Sequence, residues 1–84
     1  MAWYVYIAKA RTERYYTGIT TNPEERIIEH NSGKGSRFAV NQGHFRLVYV
    51  SPAFPGKSGA RKREMQIKKW TREKKEKLIR GDWR

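Results

Sequence analysis

A chain of 84 residues with 19 Lys and Arg, eight Asp and Glu and a net charge of +11 reads as one small, strongly basic domain. The lack of cysteine excludes disulfides, thiolate metal sites and thiol nucleophiles. No apolar run approaches the ~20 residues that span a bilayer, and Met1-Ala2-Trp3-Tyr4-Val5-Tyr6 lacks the pattern of a secretory leader, so a soluble cytoplasmic protein without a membrane role is expected.

Trp3–Ala8 is the first predicted strand, aromatic and β-branched with no breaker. Trp3, Val5 and Ile7 fall on one face, and Tyr4, Tyr6 and Ala8 on the other. Lys9–Arg14 is a polar turn, and Tyr15–Thr20 follows closely enough to form an antiparallel hairpin. A turn centred near Arg11 and Thr12 sets Tyr6 opposite Tyr16. Asn22 then caps a helix, with Pro23 at its first position and Glu25 at capping-box spacing. The helix runs to about Asn31, with Ile27 and Ile28 as its buried face. Ser32-Gly33-Lys34-Gly35-Ser36 stops it, Gly33 being suited to a left-handed cap. Arg37–His44 is a basic connection.

Phe45–Ser51 is the third strand, and its continuous apolar run suggests burial on both faces and a central position. Pro52–Gly59 is a loop. Ser58 is the candidate cap of a helix reaching about Trp70. Thr71 caps a last short helix to about Ile79, Gly81 ends it, and Asp82-Trp83-Arg84 is a frayed tail. The order is ββαβαα, an α+β chain forming one domain over residues 1–84, with its core between about 3 and 79. There is no internal repeat.

The charge excess points to a polyanion, nucleic acid before anionic lipid, because neutralising phosphates releases counterions. Against that background a few residues stand out. Two phenols on one sheet face, Tyr6 and Tyr16, can converge on one spot, and a dense cationic field would favour the phenolate. Cross-strand aromatic packing is the plainer reading. Arg26 and His30, four apart, share a helix face. A guanidinium suits charge on a scissile phosphate, and an imidazole can orient or deprotonate a tyrosine. An exposed face with Arg26 paired to Glu29 or Glu25 is the alternative. Glu64 sits by helical spacing beside Ala60 and Ile67. One carboxylate plus phosphate oxygens makes an ordinary Mg²⁺ site, since that ion keeps several waters. A pair with Lys68 is the alternative. Lys34, Arg37, Lys57, Arg61 and Lys68, with Lys74, Lys75 and Lys77 beyond them, are candidates for phosphate contacts, which position a strand without reading its sequence.

In this order and spacing, Tyr4-Val5-Tyr6, Tyr16-Thr17-Gly18, Arg26, His30 and Glu64 resemble the GIY-YIG nuclease superfamily. The likeness covers Trp3 to about Ile79. Tyr16-Thr17-Gly18-Ile19-Thr20-Thr21, His30-Asn31-Ser32-Gly33-Lys34-Gly35 and Glu64 to Trp70 look like its small stand-alone bacterial branch, similar to the nuclease domain of structure-specific endonucleases that cut branched DNA. The resemblance implies a three-stranded antiparallel sheet flanked by helices, and hydrolysis of a phosphodiester with one divalent ion, Mg²⁺ or Mn²⁺. It implies Tyr6 as the base that activates water and Tyr16 as its support. Arg26 would stabilise the phosphate, His30 would tune a tyrosine, and Glu64 would be the metal ligand. Many family nucleases place an asparagine after that glutamate, and here none occurs beyond Asn41.

The function expected is a metal-dependent, shape-selective DNA endonuclease of repair, recombination or processing, associated with the nucleoid. The alternatives are a DNA- or RNA-binding module with weak or no catalysis, and a subunit whose substrate grip comes from a partner protein.

Overall fold

A computed structural model describes residues 1–31 and 44–81. Three strands, β1 (Tyr4–Ala10), β2 (Tyr15–Thr20) and β3 (Phe45–Val50), form one antiparallel sheet in the order β2-β1-β3. Three helices accompany it: α1 (Pro23–Asn31), α2 (Lys57–Lys68) and α3 (Arg72–Ile79). The order ββαβαα and the α+β class are those the sequence predicts. Lys34, Arg37, the Gly33 cap, Asn41 and the tail from Asp82 lie outside the described residues.

The central strand is β1 and not β3, which corrects the reading of the apolar run at Leu47–Val50. Val5, Tyr6, Ile7 and Ala8 are all buried, whereas Leu47, Val48 and Tyr49 are half-buried and Val50 is exposed. A bulge explains why an edge strand carries consecutive apolar residues. Ile7 pairs with Tyr49 but Ala8 with Leu47, so Val48 is an extra residue and the side-chain alternation resets there. Leu47 then packs with Tyr6, Ala8, Ala10 and Phe45, while Val48 and Tyr49 pack with Val5 and Ile7 on the opposite face. Pairing continues beyond β3: the Ser51 N–H donates to the Val5 carbonyl at 2.8 Å, and the Val5 N–H donates to Ser51 Oγ at 2.9 Å.

The hairpin register also differs from expectation. Tyr6 lies opposite Gly18, and Tyr16 opposite Ala8. The loop closes with the Ala10 N–H on the Arg14 carbonyl and the Glu13 N–H on the Ala10 carbonyl, Glu13 taking a left-handed φ of 73°. That loop slips the register by two residues relative to the expected pairing of Tyr6 with Tyr16. A slip of two preserves the face, so Tyr6 and Tyr16 are diagonal neighbours on one side of the sheet.

The helices sandwich this sheet. Alpha-1 begins as predicted: the Glu25 N–H donates to Asn22 Oδ1 at 3.2 Å, and the Asn22 side-chain amide donates to the Glu25 carboxylate at 3.4 Å. Its inward residues are Ile27, half-buried, and His30, fully buried; Ile28 is 65% exposed, one step round the helix from the contact stripe. On the other face, Ala60 and Ile67 of α2 and Leu78 of α3 pack with Val5 and Ile7, and Glu64 is the third buried residue of α2. Gly56 and not Ser58 is the N-cap of α2, and Ser58 falls inside its first turn. Thr71 caps α3, its Oγ1 accepting the Lys74 N–H at 3.3 Å, and Gly81 follows the helix at φ +84°. Among the described residues no helix is long and apolar enough to cross a membrane.

Candidate active site

The sheet face under α1 gathers the candidate residues of the N-terminal half. Tyr6 is 1% exposed and its ring rests close over Gly18. A Cβ at position 18 would meet Tyr6 Oη at 2.7 Å and Cζ at 2.8 Å. Gly18 is therefore the floor on which the phenol rests, a use of a strand glycine for close approach. The Tyr6 hydroxyl is 3.2 Å from His30 Nε2. Tyr16 packs edge-on to His30 with ring centroids 5.1 Å apart, and 6.3 Å from the Tyr6 ring. Phe45 closes the cluster, 5.6 Å from His30 and 6.0 Å from Tyr16.

The charges around Tyr6 oppose one another. Burial pushes the phenol above its ordinary value of 10.0, while a hydrogen bond from the Arg26 guanidinium pulls it down. Burial prevails. This corrects the expectation that the cationic field lowers this phenol: among the described residues most of the other Lys and Arg are exposed, where water screens them, and only Arg26 acts on the hydroxyl. Arg26 is itself held more firmly charged by Tyr6. It also reaches Glu29 at 3.8 Å, as the plainer reading had it. Burial, then the neighbouring Arg26, holds His30 below its ordinary 6.5, so the imidazole is neutral at pH 7. Its Nδ1 is buried without a hydrogen-bond partner.

Glu64 comes from the opposite face of the sheet. It is 5% exposed, yet its charge still reaches Tyr6 and opposes loss of the phenolic proton. Each carboxylate oxygen faces its own cation: Oε1 is 3.6 Å from Arg61 and Oε2 is 3.4 Å from Lys68. The pair with Lys68 weighed from the sequence is thus present. Among the described residues no three His, Cys, Asp or Glu cluster as metal ligands. A metal centre would rest on one carboxylate completed by water and substrate oxygens, a set that fits Mg²⁺. Both flanking side chains are more than half exposed and can swing away.

Of the other described basic candidates, Lys57 is exposed and Lys74, Lys75 and Lys77 are half-buried. Lys57, at the start of α2, stands over the Trp3 ring at 5.3 Å. Arg63 and Lys74 flank Trp70 at 5.0 and 4.8 Å. Lys75 is held below its ordinary value by burial and by nearby Lys68.

Sequence reasoning missed the part played by Asn31. At the last position of α1, its Oδ1 accepts the Phe45 N–H at 2.7 Å and its Nδ2 donates to the Phe45 carbonyl at 2.9 Å. One amide side chain thereby ties the helix that carries His30 to the strand that carries Phe45. An asparagine directly after the histidine, at a helix end, is the signal that was available, because its amide matches a backbone pair.

Comparisons with known proteins show the family and the fold. The UPF0213 protein BH0048 of Halalkalibacterium halodurans is 43% identical over 79 residues, which are 94% of this chain and 83% of that protein. The UPF0213 protein SH2523 of Staphylococcus haemolyticus is 45% identical over 76 residues, 90% of this chain and 92% of that one. The solution NMR structure of the UPF0213 protein BH0048 from Bacillus halodurans shares the fold with a TM-score of 0.58 at 43% identity, covering 94% of this chain and 83% of that chain. The family model of the GIY-YIG catalytic domain matches residues 2–77. With Tyr6, Gly18, Arg26 and His30 meeting on one sheet face, the chain belongs to the GIY-YIG catalytic domain family, a nuclease fold whose substrate is nucleic acid.

Proposed function

We propose that the protein is a divalent-metal-dependent endonuclease that hydrolyses DNA phosphodiester bonds and selects substrates by shape. The observation that carries this is the buried Tyr6 hydroxyl, 3.2 Å from His30 Nε2, with the Arg26 guanidinium acting on it to favour its ionised form. A phenol can take a proton from water only after giving up its own. With His30 protonated on Nδ1, Nε2 accepts the Tyr6 proton, and the phenolate so formed is stabilised by Arg26 and deprotonates the attacking water. Arg26 is half-exposed, so its guanidinium can also hold the charge that grows on the phosphate. Tyr16 holds the imidazole by its edge-on ring. Glu64 would hold one Mg²⁺ or Mn²⁺, which supplies Lewis-acid stabilisation of a phosphate oxygen when bound. Lys57, Arg61 and Lys68 contact backbone phosphates. Such contacts carry no base identity, which favours recognition of shape over sequence. A place in DNA repair or processing follows from that selectivity.

A second reading, a nucleic-acid-binding module with little catalysis, is favoured by the two cations on Glu64 and by the burial that keeps Tyr6 a phenol. One experiment separates the two. Labelled linear, nicked, flap and branched DNA is incubated with protein and Mg²⁺ or Mn²⁺, beside a Glu64→Ala variant and a chelator control. Products that vanish in both controls are expected. Salt-dependent binding without products would establish the binding module, and cleavage retained by Glu64→Ala would refute the metal site.

A further inference from the structure

Glu64 is the only acid in α2, and two of that helix's cations are committed to it. Arg61 lies three residues before it and Lys68 four residues after, so both arch over the same carboxylate from adjoining turns. The acid is 7% exposed in its side chain, and its partners are 54% and 55% exposed. The contacts of 3.6 and 3.4 Å are longer than the ~2.7–2.9 Å of a tight charge-assisted hydrogen bond. They are loose enough to exchange. Phosphate is the competitor for both groups: a guanidinium binds it through two parallel bonds and an ammonium as a point charge.

We propose that Arg61 and Lys68 are an exchangeable lock on Glu64, which substrate DNA opens by drawing the two cations onto its phosphates and so freeing the carboxylate for a divalent cation. The proposal rests on the reading of Glu64 as the metal carboxylate. In the free protein the two cations compete with the metal. With DNA bound they neutralise phosphate instead, and the carboxylate loses its partners where the scissile phosphate arrives. DNA and metal then assist each other, and the coupling is reciprocal: whatever factor DNA adds to metal affinity, metal adds to DNA affinity. The neighbouring Lys62, in α2, and Lys69, its C-cap, make no ion pair among the described residues and serve as a charge-matched control.

The test is Mn²⁺ binding, followed by loss of the free-ion paramagnetic resonance signal, on the whole chain. Four proteins are compared: wild type, the Arg61→Gln/Lys68→Gln double variant, the Lys62→Gln/Lys69→Gln double variant and Glu64→Gln. An ion pair at a protein surface shifts an equilibrium by up to about fivefold. Removing both members of the lock should therefore tighten Mn²⁺ by about tenfold, and the control pair should change it far less. With excess duplex DNA, whose own Mn²⁺ uptake is subtracted using Glu64→Gln in the same mixture, wild type should tighten towards the lock variant while that variant changes little. Equal affinity of wild type and lock variant, with Glu64→Gln still abolishing the site, would overturn the lock and leave the metal reading standing. Unchanged Mn²⁺ binding in Glu64→Gln would overturn the metal reading, and the lock with it.

A second measurement needs no change to Arg61 or Lys68. In chelator, Glu64→Gln should bind DNA about tenfold more tightly than wild type, because both cations are released. Glu73→Gln removes an equal charge from an exposed acid that reaches Lys77 only at 3.9 Å, and should gain much less. Equal gains in the two variants would reduce the effect to net charge and refute the lock.

Discussion

Gly18→Ala tests the construction of the site through a single methyl group. The added Cβ would stand 2.7 Å from Tyr6 Oη, 2.8 Å from Cζ and 3.0 Å from Cε1, well inside the ~3.5 Å at which carbon atoms meet. Tyr6 is 1% exposed in the central strand, so the ring cannot move into solvent. Overpacking of this kind costs about 1–3 kcal/mol. The shift also strains the 3.2 Å contact between the phenol and His30, and leaving a buried polar group unpaired costs about 1–3 kcal/mol. Against that, alanine gains about 0.5–1 kcal/mol over glycine in backbone entropy. The net expectation is a loss of about 2–4 kcal/mol. At about 4–8 °C per kcal/mol for a domain of this size, the melting temperature drops by at least ~8 °C. The assay is thermal unfolding by circular dichroism, with Gly56→Ala as control, since nothing lies within 4 Å of a Cβ there. Tyr6→Phe removes the atom nearest the new methyl, so the Gly18→Ala/Tyr6→Phe double variant should be less destabilised than the sum of its parts. A Gly18→Ala protein as stable as wild type, or additive behaviour in the double variant, would refute the close contact.

Two further outcomes follow from single groups. Asn31→Ala removes both hydrogen bonds to Phe45 and should cost about 1–3 kcal/mol in chemical unfolding, whereas Asn22→Ala at the other end of α1 should cost about 1 kcal/mol as an ordinary cap. Because burial and Arg26 lower His30 below 6.5, the unfolded chain binds a proton that the native state refuses. The stability from a neutral His30 is then complete above pH 6.5 and is lost as pH falls through the lowered native value. A pH series of unfolding curves should slope downward there in wild type and flatten in His30→Gln, and equal slopes would refute the assignment.

Much of this molecule was legible in its residues, for reasons that differ by element. Beta-2, α1 and α3 appear where Tyr15–Thr20, Asn22-Pro23 and Thr71 place them, because strand alternation and caps are local signals. The central strand was not legible in this way. Leu47-Val48-Tyr49-Val50 looks doubly buried, yet its apolar residues serve both faces only because the bulge at Val48 resets the alternation, and bulges follow from pairing with another strand. The pairing of Arg26 with His30 followed from helix period. The placing of Tyr6 over Gly18 required a register that the positive φ of Glu13 shifts by two residues. Asn31 escaped because its partner is a backbone 14 residues away.

The state of the Tyr6 proton joins these observations. Desolvation, aided by neighbouring Tyr16 and least by Glu64, holds the proton on oxygen, and among the described residues Arg26 pulls the other way. A surface of +11 net charge does little for a hydroxyl that it does not touch, because exposed charges beyond a Debye length of about 10 Å are largely screened. The reactive form must therefore come from contact chemistry. Among the described residues His30 is the one group within hydrogen-bond distance that can take the proton, and the burial that raises Tyr6 also keeps His30 neutral and able to accept it. An imidazolium at that position would bar the transfer and would also add a charge beside Arg26. The same protonation should accordingly remove both the proton acceptor and the fold's acid-side stability, because one buried side chain serves both.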